Sequence, residues 1–152
     1  MFVVYYQSPI GAVEITGDTA GILSLDFVES PRYVSAPSPI LEEAQSQLSA
    51  YFEGALKRFD LPLVLLGTEF QQLVWRQVLK IPFGFFASYQ EVARAISRPR
   101  SVRAVGVANG KNPISIIVPC HRVIGSDGSL TGYGGGLWRK EWLLRHEGTL
   151  LS

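Results

Sequence analysis

One cysteine occurs in the sequence, and it stands next to a histidine and an arginine in the run Cys120-His121-Arg122. A free thiol ionises near pH 8.5 and only its thiolate is a strong nucleophile, so a reactive cysteine needs a base or a positive neighbour. His121 and Arg122 are the immediate candidates. With no second cysteine, an intrachain disulfide is excluded. Consecutive residues of a strand face opposite ways, so Cys120 and His121 would meet only through a turn or a bridging water. A single cysteine is also often a small buried hydrophobe, so the pair alone leaves both readings open.

The elements that must position this pair come next. Residues 114–118 are an apolar, branched run stopped by Pro119, which reads as a buried strand delivering the thiol and imidazole to its end. Upstream, Thr68 and Gln71 have the spacing of a capping box and open a helix that ends before Pro82-Phe83-Gly84. Ser88 and Glu91 repeat the pattern at the head of a helix over 89–97. After Pro99, Ser101 is placed to cap a third helix reaching about residue 109. The last two helices, joined by Arg98-Pro99-Arg100, have the layout of a helix-turn-helix. On the third, Arg103, Gly106, Val107 and Gly110 share a side, and two glycines on one helical face suggest that another backbone or a ligand comes close. Residues 131–136 form a glycine-rich loop around Tyr133. A final helix over 138–146 is closed by Gly148. Glu147 falls at the end of that helix, where the macrodipole disfavours an anion. Such a misfit is sometimes tolerated where a carboxylate is wanted to hold another group, for example an imidazole, but an exposed glutamate in a frayed last turn is the plainer reading of the residue by itself.

The first part of the chain carries no such chemistry. Residues 2–7, 11–16 and 21–27 read as a small antiparallel sheet, followed by a proline-bearing loop and a helix over 40–56. The expected fold class is α+β: a small N-terminal antiparallel sheet with a helix (1–66), then a mainly helical C-terminal domain (67–152) with the helix-turn-helix and the active-site strand or turn. Charge divides the same way. Up to Glu69 there are three basic and nine acidic residues, and from Phe70 onward eleven basic and four acidic, so a net +1 conceals halves of −6 and +7. Arg94, Arg98, Arg100, Arg103 and Lys111 lie in a window without an acid, the footprint expected for phosphate contacts. No apolar run approaches the roughly 20 residues of a membrane span. The single cysteine and the lack of a leader pattern lead us to expect a cytoplasmic protein, at the nucleoid if the source is prokaryotic.

Pro119-Cys120-His121-Arg122-Val123 resembles the active-site signature of the O6-alkylguanine-DNA alkyltransferases. The resemblance extends to Ser88-Tyr89-Gln90, Arg103-Ala104-Val105-Gly106, Asn112-Pro113, Gly132-Tyr133-Gly134, the run Lys140-Glu141-Trp142-Leu143-Leu144 and His146-Glu147-Gly148, in order over residues 70–148. It implies irreversible, single-turnover transfer of an alkyl group from the O6 position of guanine in DNA, and from O4-alkylthymine, onto Cys120. His121 would be the base acting through water and Glu147 the carboxylate orienting it. Asn112 would bond within the active-site turn, and Tyr89 would help protonate the leaving guanine. Arg103 would enter the duplex where the nucleotide has been flipped out, and Arg100, Ser101, Gly106, Lys111 and Arg122 would touch the DNA beside it. Backbone carbonyls of Cys120 and Val123 would read the guanine edge, and Tyr133 and Gly134 would wall the pocket. The implied partner is double-stranded DNA containing the lesion. No cofactor or metal is implied, and a monomer is expected, with or without cooperativity on DNA.

Two departures stand out. Gly134 replaces the serine that many members carry, leaving a backbone N–H without a hydroxyl. The N-terminal half matches only in layout and lacks the cysteine and histidine cluster of zinc-bearing members. Two other functions compete with alkyl transfer. A non-enzymatic, alkyltransferase-like binder of alkylated DNA would have lost the cysteine, which this chain retains. A thiol hydrolase built on Cys-His-Glu would need an oxyanion hole and leaves the arginine-rich helices unexplained.

Overall fold

The structure is a computed structural model that describes residues 1–150. The chain divides into two compact units, Met1–Leu66 with Pro113–Ser115, and Gly67–Asn112 with Ile116–Ser152.

The first unit is built on an antiparallel meander of β1 (Phe2–Ser8), β2 (Gly11–Gly17) and β3 (Ile22–Val28). Each connection is closed by a short polar side chain. Ser8 Oγ receives the Ile10 N–H and donates to Gly11 O, and Asp18 Oδ1 accepts from the N–H groups of Ala20 and Gly21. These are the local bonds that favour Ser and Asp in turns. Helix α1 (Pro39–Phe52) is capped by Ser38, has proline at its first position, and buries Leu41, Ala44, Leu48 and Tyr51. It stops four residues before the expected end. The Glu53 N–H closes the last turn on Ser49 O, and Gly54 takes the left-handed conformation (φ 82°). Residues 113–115 join this unit through Leu25, whose N–H and C=O bond Pro113 O and the Ser115 N–H.

The second unit contains α2 (Glu69–Val78), the two-residue strand β4 (Ala87–Ser88), α3 (Tyr89–Ala95), α4 (Val102–Gly110), β5 (Val123–Ile124) and α5 (Leu137–His146). Both capping boxes read from the sequence are formed in full, Thr68 with Gln71 and Ser88 with Glu91. Trp75 is buried, and its indole N–H donates to Ala108 O at 2.9 Å, locking α2 to α4. Ser97 turns left-handed (φ 61°) after α3, and α4 begins five residues later at Val102. Ser101 precedes α4 with its side chain making no capping bond. The expected cap is absent because its backbone lies outside the extended region (ψ 31°) that aims a capping hydroxyl back at the helix. The parallel pair β4–β5 places Ser88, at the head of α3, opposite Ile124.

The expected strand over 114–118 is not formed. Only Ile114 makes a bridge, to Leu25, and Ile116 adopts φ 71°, which breaks any ladder. The run is a buried turn, its apolar side chains serving the core from an irregular backbone.

Candidate active site

Cys120 opens a single turn of 3-10 helix, Cys120–Arg122. The Cys120 N–H donates to Val118 O at 2.7 Å and the Arg122 N–H to Pro119 O at 2.9 Å. At three residues per turn, successive side chains leave the axis about 120° apart instead of on opposite faces, so Cys120 and His121 are both turned inward. Two asparagines brace the backbone: Asn112 Nδ2 donates to Val118 O at 2.8 Å, and Asn109 Nδ2 to Cys120 O at 3.1 Å. Cys120 is buried, 5% exposed. Burial pushes its pKa up, and a hydrogen bond from Asn112 and the charge of Lys140 pull the other way.

His121 is wholly buried, with Nε2 2.8 Å from Glu147 Oε2. An ionised carboxylate can only accept, so Nε2 carries the hydrogen and Nδ1 keeps its lone pair. That Nδ1 is buried with no hydrogen-bond partner in the protein. Burial lowers the imidazole pKa against the pull of Glu147, leaving a neutral base near pH 7. For Glu147, burial favours the neutral form, but the bonds from His121 and Arg122 outweigh it and hold the carboxyl well below the usual range. Glu147 follows the last turn of α5, where the Gly148 N–H bonds Arg145 O and the Thr149 N–H bonds Leu144 O, a glycine-based cap that fixes the backbone.

Arg122 corrects the sequence reading. Expected at the DNA, it is 7% exposed and grips both Glu147 oxygens, Nε to Oε1 at 2.7 Å and Nη2 to Oε2 at 3.0 Å, while Nη1 donates to Ile81 O at 2.6 Å. A guanidinium spent on a buried carboxylate and a carbonyl has no fork left for phosphate. Its charge also answers the misfit of an anion at a helix C-terminus.

Lys140 was legible only as part of a motif. Its side chain is fully buried, with Nζ donating to Val123 O and Thr131 O at 2.6 Å each and reaching Tyr89 Oη at 3.5 Å. Burial lowers its pKa to about 8. No local pattern marks a lysine for this position, because its partners come from three separate segments. Lys140→Met is expected to push the Cys120 thiol pKa higher still by removing the neighbouring charge. Thiolate absorbance followed against pH checks this, and an unchanged titration would remove Lys140 from the electrostatics of the thiol.

Tyr89 is half-buried at the start of α3 and donates to Thr131 O at 2.8 Å. Tyr133 is 8% exposed and sits in a loop whose Gly132 and Gly136 are left-handed (φ 65° and 95°). A Cβ added at Gly134 would lie 3.7 Å from Gly110 O, an ordinary contact. The missing serine hydroxyl is therefore a chemical difference, not a steric demand.

Arg94, Arg98, Arg100, Arg103 and Lys111 are all exposed, and among the described residues none forms an ion pair. Arg100, Arg103 and Lys111 line one groove with Phe70, Val107 and Thr68. Ser101 also lines it, and Gly106 follows on the same helix. Neither helix glycine is demanded by packing in this unit: a Cβ at Gly110 meets nothing within 4 Å, and one at Gly106 only touches the Tyr89 ring at 3.7 Å. This face of α4 is left open, as a surface for a ligand would be.

Comparison with known proteins covers almost the whole chain. Residues 69–149 match the DNA-binding domain of the 6-O-methylguanine DNA methyltransferases, and residues 1–65 match their ribonuclease-like domain. A methylated-DNA–protein-cysteine methyltransferase of Methanosarcina barkeri is 48% identical, over 95% of this chain and 97% of its own. Mycobacterium tuberculosis OGT, solved in complex with DNA, superposes with a TM-score of 0.86 at 50% identity, covering 94% of this chain and 91% of its own. An alkyltransferase-like protein of S. pombe, also solved with DNA, is 32% identical with a TM-score of 0.51 over 58% of this chain and 83% of its own. The chain belongs to the 6-O-methylguanine DNA methyltransferase family. Among the described residues no helix is long and apolar enough to cross a membrane.

Proposed function

We propose that this chain repairs DNA by direct reversal, moving an alkyl group from O6-alkylguanine to the sulfur of Cys120. The observation that carries the reading is the buried array His121, Glu147 and Arg122 directly after a free thiol, with a neutral imidazole whose second nitrogen is unsatisfied. In the transfer, a sulfur–carbon bond forms as the carbon–O6 bond breaks. The thiol proton passes through water to His121 Nδ1, the resulting imidazolium is stabilised by Glu147, and the departing guanine takes a proton from Tyr89. The Gly134 N–H would be the donor left to the guanine oxygen. The thioether has no leaving group that water can displace, so each molecule acts once.

A base inside a duplex cannot present its alkyl carbon in line with a thiolate, and extruding it costs a few kcal/mol. The exposed cations of α3 and α4 support phosphate contact without sequence reading, which suits an enzyme that must find damage anywhere. The test is to incubate the protein with duplex DNA containing O6-methylguanine and weigh the intact protein. A gain of one methylene, mapped to Cys120, is expected, whereas tight binding without a gain would move the chain to the non-enzymatic binders. Arg103→Ala is expected to slow repair of duplex DNA by about ten- to a hundredfold, the worth of a few kcal/mol of flipping. Its deficit should shrink on the free base O6-methylguanine. Equal deficits on both substrates would refute a role for Arg103 in extrusion.

A further inference from the structure

The head of α5 carries two side chains that the transfer reaction does not use. Trp138 is 57% exposed and its neighbour Leu137 49%, whereas Trp75 in the same unit is 2% exposed. An indole left open in this way is normally either mobile or awaiting a partner, and Trp138 is not loosely placed. The guanidinium carbon of Arg139 lies 4.5 Å from the centre of its ring, and Arg139 Nη1 donates to Gly135 O at 2.8 Å. The cation of this cation–π pair is therefore tied to the backbone. Gly136 supports the ring as well, since a Cβ added at that left-handed position (φ 95°) would come 3.3 Å from Trp138 Cδ1. Both side chains are thus held in place without being buried.

The pair adjoins the helix that carries the exposed cations. A Cβ at Gly134 would lie 3.7 Å from the carbonyl oxygen of Gly110, the last residue of α4. Four residues separate Gly134 from Trp138, a span of at most about 14 Å even when fully extended, so Trp138 and Arg139 stand close beyond the end of α4, beside exposed Lys111. Charge points the same way. No acid occurs between Asp127 and Glu141, and Glu141 is paired with Arg145 at 2.8 Å. A positive surface with an open aromatic ring suits a polyanion that also presents flat π faces, which is the chemistry of a nucleotide strand. Inside a duplex those faces are covered by stacking, so the ring can be used only by a base that is unpaired. On the reading that this unit acts on DNA, we propose that Trp138 and Arg139 form a second DNA contact, outside the helix-turn-helix, that takes an unpaired nucleotide. The indole stacks on the base and the Arg139 charge attracts its phosphate, so the protein binds single-stranded DNA more tightly than the α3 and α4 cations alone allow.

The test titrates the protein with lesion-free single-stranded DNA and with the matching duplex, each over a series of salt concentrations, following the anisotropy of a dye on the DNA. Trp138→Ala is expected to weaken single-strand binding by about fivefold or more, the worth of one base–aromatic stack, with duplex affinity and both salt slopes unchanged. Trp138→Phe keeps a ring and should retain most of the affinity. Arg139→Ala should weaken single-strand binding and reduce the slope of log K against log salt by about 0.7, the share of one phosphate contact on a single strand. Single-strand affinity that survives in Trp138→Ala overturns the proposal. So do equal losses on the two forms of DNA, since that result assigns Trp138 to the stability of α5 or to general attraction. Duplex binding without single-strand binding by the unaltered protein overturns this contact alone, whereas binding of neither form would overturn the reading of the unit as DNA-binding and the contact with it.

Discussion

Cys120→Ala is expected to abolish alkyl transfer completely while leaving binding to lesion-bearing DNA intact. Cys120 is the single cysteine of the sequence and its thiolate would be the strongest nucleophile in the site, and its removal touches none of the exposed cations Arg94, Arg98, Arg100, Arg103 and Lys111. The 3-10 turn is held by backbone bonds and by Asn109 and Asn112, none of which uses the thiol as its sole anchor. Cys120→Ser should behave alike, because a hydroxyl stays protonated under conditions where a thiol supported by an imidazole ionises. Intact mass after incubation, beside a gel-shift titration of the same samples, separates the two properties. Any methyl gained by the alanine variant would displace Cys120 as acceptor. A parallel loss of binding would mean that the turn itself depends on the sulfur.

Glu147→Gln is expected to damage both stability and rate. Arg122 would keep a buried charge with no counterion, which typically costs about 3–5 kcal/mol. His121 would lose the anion that fixes its tautomer and stabilises its protonated form, a change worth on the order of 10² to 10⁴ in rate for comparable triads. The two effects are separable. Combining Glu147→Gln with Arg122→Met removes the stranded charge and should restore much of the stability without restoring the rate.

The pH dependence has a definite sign. Both Glu147 and His121 have folded pKa values below their free values, so the unfolded chain binds the protons first. Stability therefore falls with acid, beginning as pH drops through about 6.5 from the histidine and steepening below about 4.3 from the glutamate. In Glu147→Gln the lower component should disappear. Chemical denaturation at a series of pH values measures this, and an unchanged acid limb would contradict the buried pair.

The legible parts of the chain were those governed by short-range rules. The two capping boxes, the meander and the break at Pro99 rest on neighbours three or four residues apart, and all of them formed. Cys120 and His121 drew attention as the single cysteine with a histidine beside it, and Glu147 as a carboxylate at a helix C-terminus, but it was the family resemblance that joined the three into one site. What misled was the apolar run at 114–118, since five branched residues suit a buried turn as well as a buried strand when nothing local settles the backbone. Arg122 was misassigned for a related reason. An arginine beside a basic helix reads as a phosphate contact until its partner, 25 residues further on, is seen beside it. Lys140 and Asn109 escaped notice because their bonds go to backbone atoms, and carbonyls leave no signature in a sequence.

A helix end is ordinarily the first place where backbone hydrogen bonds open, yet α5 finishes in a buried carboxylate clasped by Arg122 and His121. Fraying of that turn would withdraw the anion from the imidazole at the same moment. On the proposed mechanism, local breathing at this terminus and competence of the sulfur are one equilibrium, so that whatever loosens the last turn of α5 would slow transfer without unfolding the chain.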